Sequence, residues 1–528
     1  MIMFKKPAIL AIALAFCASL FAVNPVSAET TLRVVMHSDL KIVDPVWTTA
    51  YMSRNYGYMV YDTLFALDSK LHIQPQMVGD YSVSDDKLTY TMTLREGLMF
   101  HDGAPVTAAD AVASLKRWGK KDGMGQMLME YTANLSAVND KTMKLVLKKP
   151  FGLVLDALSK PSSNVPFIMP KRVADTPADE QIKDHTGSGP FIFKEDEWKP
   201  GDRTVFVKNP NYKARSEPSS WMAGSKAVNV DRVEWISIKD HQTAVSALLA
   251  GEIDYMESVP HDLLPLLESD PNIQTAVLNP LGNQYMYRMN HLHPPFDDVR
   301  MRRAAMWAVN QKDFLQGVIG NPKYYKECAA MFFCDTPLAT DKGAEIMMRS
   351  DYAKSKALLK EAGYDGTPIV LMHSTDLNVL ANLAPVAKQN LERGGFKVDM
   401  QSMDWQTLVS RRSKKDAPGK VGWNIFMTSW QSLDILNPIM AAGYRANCNK
   451  AWFGWPCDIP NMEVLRKAFA EEPDPAQQKA IAEAIQVRAM EFGTHGHAGQ
   501  WLGVTAWRKD LISNVPDAPL PVQWGISK

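Results

Sequence analysis

The sequence predicts an α/β fold with antiparallel strands added near its N-terminal half, and three stretches carry that reading. Over residues 88–94, Leu88, Tyr90, Met92 and Leu94 alternate with three threonines, the period-two pattern of a half-buried strand. Residues 368–401 read as a strand at 369–372, a helix at 379–391 and a strand at 397–400. Such a βαβ unit implies a parallel sheet with a right-handed crossover. Residues 475–492 read as a long helix, capped by Asp474, opened by Pro475 and ended by Gly493.

The chain starts with an export signal. Lys5 and Lys6 precede an apolar run from Ala8 to Val23, and Val26 and Ala28 place small residues at −3 and −1 of a cleavage site after Ala28. Residues 1–28 are therefore expected to be removed, leaving a soluble periplasmic product. An uncleaved anchor is disfavoured because the run is short for a spanning helix. A lipidated Cys17 is disfavoured because Phe16 stands where a small residue is needed. Removing Lys5 and Lys6 from the 58 basic residues leaves 56 against 58 acidic ones. A chain that is not basic has no electrostatic case for a nucleic-acid partner.

At 528 residues, with 46% hydrophobic and 22% charged residues, the chain has the composition of an ordinary globular protein of several units. It carries no internal repeat, no low-complexity segment and no long linker composition, so the units should pack as one body. Beyond the strand at 88–94, His101-Asp102-Gly103 reads as a turn. Thr107 then caps a helix with an apolar face of Ala108, Ala111, Val112, Leu115 and Trp118 and with Asp110 in its first turn. Beyond Cys17, four cysteines remain: Cys328, Cys334, Cys448 and Cys457. Four cysteines allow three connectivities; the two local bridges, 328–334 and 448–457, are favoured in an oxidising compartment.

Phosphate-loop, dinucleotide, nucleophile-elbow, zinc-protease and CxxC motifs are all missing, so no catalytic residue, metal ligand or cofactor is assigned. Gly187-Ser188-Gly189 reads as a structural turn. His495 and His497, like His291 and His293, read as packing or surface residues, because a third ligand is not evident.

Four blocks resemble the family 5 extracellular solute-binding proteins, which include the dipeptide- and oligopeptide-binding proteins of ABC importers. They are residues 94–112, with Phe100-His101-Asp102-Gly103; Thr186-Gly187-Ser188-Gly189-Pro190-Phe191 with Lys199-Pro200-Gly201 and residues 208–212; Leu248 to Asp254; and residues 294–309. The resemblance spans nearly the whole mature chain. It implies a two-lobed periplasmic-binding-protein-like fold of type II. Lobe one would take residues 29–283, including an extra subdomain at about 69–183, and the return at 501–528. Lobe two would take residues 284–500. It also implies a monomer that closes on a peptide or peptide-like solute by hinge motion and delivers it to an inner-membrane permease and its ATPase.

Residues 426–438 occupy the place where peptide-binding relatives carry Gly-Trp-x-x-Asp, whose aspartate pairs with the peptide amine. Here Trp430 matches, Ser429 replaces the glycine, and Leu433 stands in the aspartate position with Asp434 one residue later. The resemblance thus implies Trp430 and Asp434 as ligand contacts, with a turn cap or a contact to Arg445 as the other readings of Asp434. Tyr444, Trp452, Phe453 and Trp455 cluster in a Gly/Pro/Cys-rich segment that reads as a pocket wall. Trp47 and Tyr51 follow the first strand, and Trp405 follows Asp404 at a strand-to-helix junction; all three are candidate contacts. The altered motif leaves open a non-peptide aromatic or amphiphilic solute. A secreted hydrolase and an exported chaperone or adhesion protein are the alternatives of other classes.

Overall fold

The computed structural model describes residues 1–2 and 29–528; residues 3–28, which hold the apolar run and cleavage site of the expected export signal, lie outside the described residues. The described residues form two large sheets, a four-stranded one and two two-stranded pairs, in a two-lobed α/β fold. In the seven-stranded sheet the order is Phe191–Phe193, Arg203–Lys208, Arg232–Ile236, Thr31–Val35, Tyr255–Met256, Thr505–Arg508 and Ile273–Ala276. Thr31–Val35 is parallel to both of its neighbours, and the outer strands are antiparallel. Leu32 and Val34, which share one face of this strand, have no exposure, while Arg33 on the other face is exposed.

The six-stranded sheet runs Tyr325–Lys326, Gly496–Trp501, Asn283–Met289, Ile425–Gln431, Ile369–Ser374 and Val398–Met403. Its last two strands form the parallel pair read from residues 368–401. The intervening helix differs from the single helix expected. It is split into Asn378–Ala381 and Leu383–Arg393. Pro385 lacks an N–H to bond back one turn, and its ring crowds the carbonyl of Ala381, so the first helix stops there. The late helix Pro475–Phe492 forms as read, with Asp474 accepting from Ala476 N–H and Gly493 at φ 67°.

The third sheet is antiparallel and joins Val78–Val83, Thr89–Leu94, Thr142–Leu147 and Thr132–Ala137. Tyr90, Met92 and Leu94 are its buried residues on the strand read from the alternation. Helix Ala108–Lys121 opens on a reciprocal cap between Thr107 and Asp110. A buried bidentate pair, Arg117 on Asp44 at 3.1 and 2.7 Å, ties this helix to the segment after the first strand.

The chain crosses between the two large sheets twice: between Ile273–Ala276 and Asn283–Met289, and between Gly496–Trp501 and Thr505–Arg508. The crossings pack on each other. Gly282 sits at φ 74° against the Trp501 carbonyl, where any Cβ would overlap it. Both disulfides are local: Cys328–Cys334 with Cα atoms 5.8 Å apart, and Cys448–Cys457 at 4.1 Å.

Candidate functional site

A cavity lies between the two lobes, lined by residues on and just beyond interior strands of both large sheets. Strand Ile425–Gln431 brings Thr428 and Trp430 to it, and the short turn Ser432–Asp434 brings Asp434. From the opposite lobe come Tyr51, at the start of helix Tyr51–Val60, and Ser163. Trp405 starts helix Trp405–Arg411, which Asp404 caps by accepting from Thr407 N–H at 3.1 Å. Trp452 completes an aromatic wall, its ring edge-on to Trp430 with centroids 5.2 Å apart.

Asp434 is 3% exposed, and partners from the facing lobe engage it. The Tyr51 hydroxyl donates to one carboxylate oxygen and Ser163 Oγ donates to the other at 2.8 Å. Tyr51 in turn accepts from Gln431 N–H at 2.8 Å. Burial, then the charge of Asp434, raise the Tyr51 pKa well above its ordinary value, so the phenol keeps its proton and donates. Arg54 stacks on the Tyr51 ring, 4.4 Å from its centroid, and donates to the Gln431 side chain at 2.6 Å.

The aromatic segment is fixed from behind. Arg288 donates to the carbonyls of Phe453 at 2.6 Å, Gly443 at 2.9 Å and Thr494 at 2.8 Å. Burial lowers its pKa to about 9. The Cys448–Cys457 bridge closes the same segment, so Trp452 is presented by a doubly tied loop.

Five of the eight residues expected to contact ligand line this one cavity: Trp430, Asp434, Trp452, Trp405 and Tyr51. The structure places the other three elsewhere. Tyr444 has no exposure, packs on Phe332 and His495, and donates to the Met331 carbonyl at 3.1 Å. Trp455 packs against Trp423 with centroids 6.2 Å apart. Trp47 donates its indole N–H to the Asp179 carbonyl at 3.2 Å. The bulk of these aromatics serves packing, because the loop geometry turns them away from the cavity.

Sequence reasoning missed His37, Glu257 and Arg412, which also line the cavity. His37 and Glu257 lie 220 positions apart. Parallel pairing of Val35 with Met256 brings them together, with Nδ1 2.8 Å from the carboxylate. Burial pushes the Glu257 pKa up, but the charge and hydrogen bonds of His37 outweigh it and the net shift is down. Arg411-Arg412 begins a basic run that offered no signal for which arginine turns inward.

Ser188 accepts from Asp62 N–H and donates to the Ile168 carbonyl, as the turn reading requires. His495 and His497 are both buried in the lobe of the six-stranded sheet. No cluster of three or more potential metal ligands occurs among the described residues, and no helix among them is long and apolar enough to cross a membrane.

The model of the bacterial extracellular solute-binding proteins, family 5 (middle), matches residues 72–443. The chain belongs to this family. This family 5 protein is 39% identical over 529 residues to a probable peptide ABC transporter periplasmic-binding protein of Sinorhizobium fredii, covering 100% of this chain and 98% of the relative. It is 27% identical to a glutathione-binding protein of Salmonella typhi, over 79% of this chain and 77% of that one. Among solved structures, the periplasmic binding protein DppA of Helicobacter pylori in complex with the peptide STSA superposes with a TM-score of 0.78 at 20% identity. That match covers 94% of this chain and 98% of the other. The family assignment thus rests on a relative matched over 100% of this chain and a solved fold matched over 94% of it.

Proposed function

We propose that this protein is the periplasmic component of an ABC importer and encloses a peptide or peptide-like solute between its lobes. One observation carries the proposal: a cavity walled by Trp430, Trp452, Trp405 and Tyr51, roofed by hydrogen bonds from one lobe to the other. Large rigid rings bury ligand area at little entropic cost, and contacts made only on closure let a solute shift the open–closed balance. The description of the Sinorhizobium fredii relative supports the peptide class and the ABC partnership. In this reading the signal peptide leaves after Ala28 and the monomer acts alone in the periplasm. Residues 29–283 and 501–528 move as one lobe, with the subdomain at about 69–183, against residues 284–500.

A second reading, a non-peptide aromatic or amphiphilic solute, is favoured by Asp434 alone. Its carboxylate is already engaged by Tyr51 and Ser163, so a peptide amine would have to displace one of them. Native mass spectrometry of protein drawn from its own periplasm decides between the two. The proposal expects one bound solute per chain with a fragmentation pattern containing amide bonds. A solute without amide bonds selects the second reading, and protein that never retains or gains a solute overturns both.

A further inference from the structure

Arg412 differs from the other fully enclosed arginines. Arg117 sits on Asp44, Arg54 on Ser162, Asn55 and Gln431, Arg288 and Arg302 on backbone carbonyls, Arg445 on Gln126 and the Lys450 carbonyl, and Arg466 on Glu463 and the Pro438 carbonyl. Arg412 is 5% exposed and lines the cavity, yet its guanidinium has no oxygen partner among the described residues; its Nε is buried and unpaired. Four ring faces stand around it: Phe453 at 4.8 Å, Trp405 at 5.5 Å, Trp452 at 5.6 Å and Phe426 at 5.8 Å from its central carbon. Rings attract a cation but do not replace the in-plane acceptors that a guanidinium fork prefers.

Burial lowers the Arg412 pKa to about 10, which still leaves it charged at neutral pH. The acids on the cavity wall are committed elsewhere, Glu257 to His37 and Asp434 to Tyr51 and Ser163. A buried charge without a partner is costly, and such groups mark functional sites. The side chain is held in place from its backbone. Its N–H continues the preceding helix to the Leu408 carbonyl, and its own carbonyl accepts from Trp423 Nε1 at 3.2 Å.

We propose that Arg412 receives a carboxylate of the bound solute through its guanidinium fork, with the rings of Trp405 and Trp452 flanking the group next to it. The proposal rests on the reading that this cavity is the solute site, and it deepens that reading: the solute is an acid. A planar fork matches a carboxylate with two parallel bonds, and an amide in its place cannot supply both oxygens.

The test uses the mature protein, refolded free of solute, and a tripeptide pool in two forms, free acid and C-terminal amide. Melting shifts and calorimetric titration are read for wild type, Arg412→Gln and Arg412→Lys. Wild type should prefer the acid pool by about tenfold or more, Arg412→Gln should lose that preference, and Arg412→Lys should keep part of it. Equal binding of both pools, or an acid preference that survives Arg412→Gln, overturns the proposal while the peptide reading stands. If neither pool binds, 3-phenylpropanoate and its amide replace them. An acid preference there that Arg412→Gln abolishes supports Arg412 and sinks the peptide reading. No acid preference on either scaffold overturns the proposal. One arm needs no solute. Arg412→Met should melt at or above wild type, since an unpaired charge gives way to an apolar chain, whereas a drop of several degrees would mark a structural arginine and count against the assignment.

Discussion

The Tyr51 hydroxyl donates to the Asp434 carboxylate, joining the lobe of the seven-stranded sheet to the lobe of the six-stranded one. The residue that the sequence motif suggested as an amine reader thus holds the lobes together. Ser163, at φ 58°, supplies the second bond from the same side. A non-glycine residue in the left-handed region is strained, and its position at this contact fits a latch that is made on closure.

Asp434→Ala removes both acceptors. Hydrogen bonds to a charged group contribute about 1.5–3 kcal/mol, so affinity should fall about tenfold or more. Because the loss acts through closure, a solute and its N-acetylated form should weaken equally in calorimetric titration. A loss confined to the solute with a free amine would return Asp434 to the role of amine reader.

Gly443 packs against the Trp430 indole so closely that an added Cβ would overlap the ring. Gly443→Ala should push Trp430 into the cavity and lower affinity by about 1–3 kcal/mol, the usual cost of overpacking, with a smaller fall in melting temperature. An unchanged affinity in titration would take Trp430 off the ligand wall.

The legible parts of this fold were those with a local cause. The alternation at residues 88–94 showed a strand because one face is buried, and Asp474 and Gly493 marked a helix because caps act within one turn. The split at Asn382 was also local, since Pro385 stands three residues on, but apolar periodicity across it masked the break. The site was half legible. Trp430, Trp452 and Tyr444 look alike in sequence; strand Ile425–Gln431 carries Trp430 to the cavity, and the tie of Arg288 to Gly443 and Phe453 together with the Cys448–Cys457 bridge holds the loop that presents Trp452. His37 and Glu257 meet through strand register, and one arginine of Arg411-Arg412 turns inward through packing. Neither relation has a local signature.

Peptide mapping without reduction should recover Cys328 linked to Cys334 and Cys448 linked to Cys457. Replacing Cys448 and Cys457 by serine should cost about 2–3 kcal/mol of stability by the loop-entropy argument. The same pair should also weaken solute binding, because the loop presenting Trp452 loses one of its two ties. Crossed linkages or free thiols would contradict this arrangement.

His101 and His497 are held neutral by burial, each with its pKa lowered to about 4 from an ordinary 6.5. The unfolded chain takes up a proton below about pH 6.5 that the folded chain refuses until about pH 4. Their contribution is therefore complete above pH 6.5 and is lost as pH falls through that window, roughly 3 kcal/mol for each. Calorimetric melting should show a plateau above pH 6.5 and a steep decline below it. A melting temperature that is flat down to pH 4 would refute the assignment.

A solute is expected to close the two lobes over the cavity of Trp430, Trp452, Trp405 and Tyr51, about crossings where Gly282 meets Trp501. Small-angle scattering of the refolded, solute-free protein, before and after saturation with the solute identified by mass spectrometry, tests it most directly. The radius of gyration should fall on saturation, and should fall less in Asp434→Ala. An unchanged radius at saturating solute would contradict it.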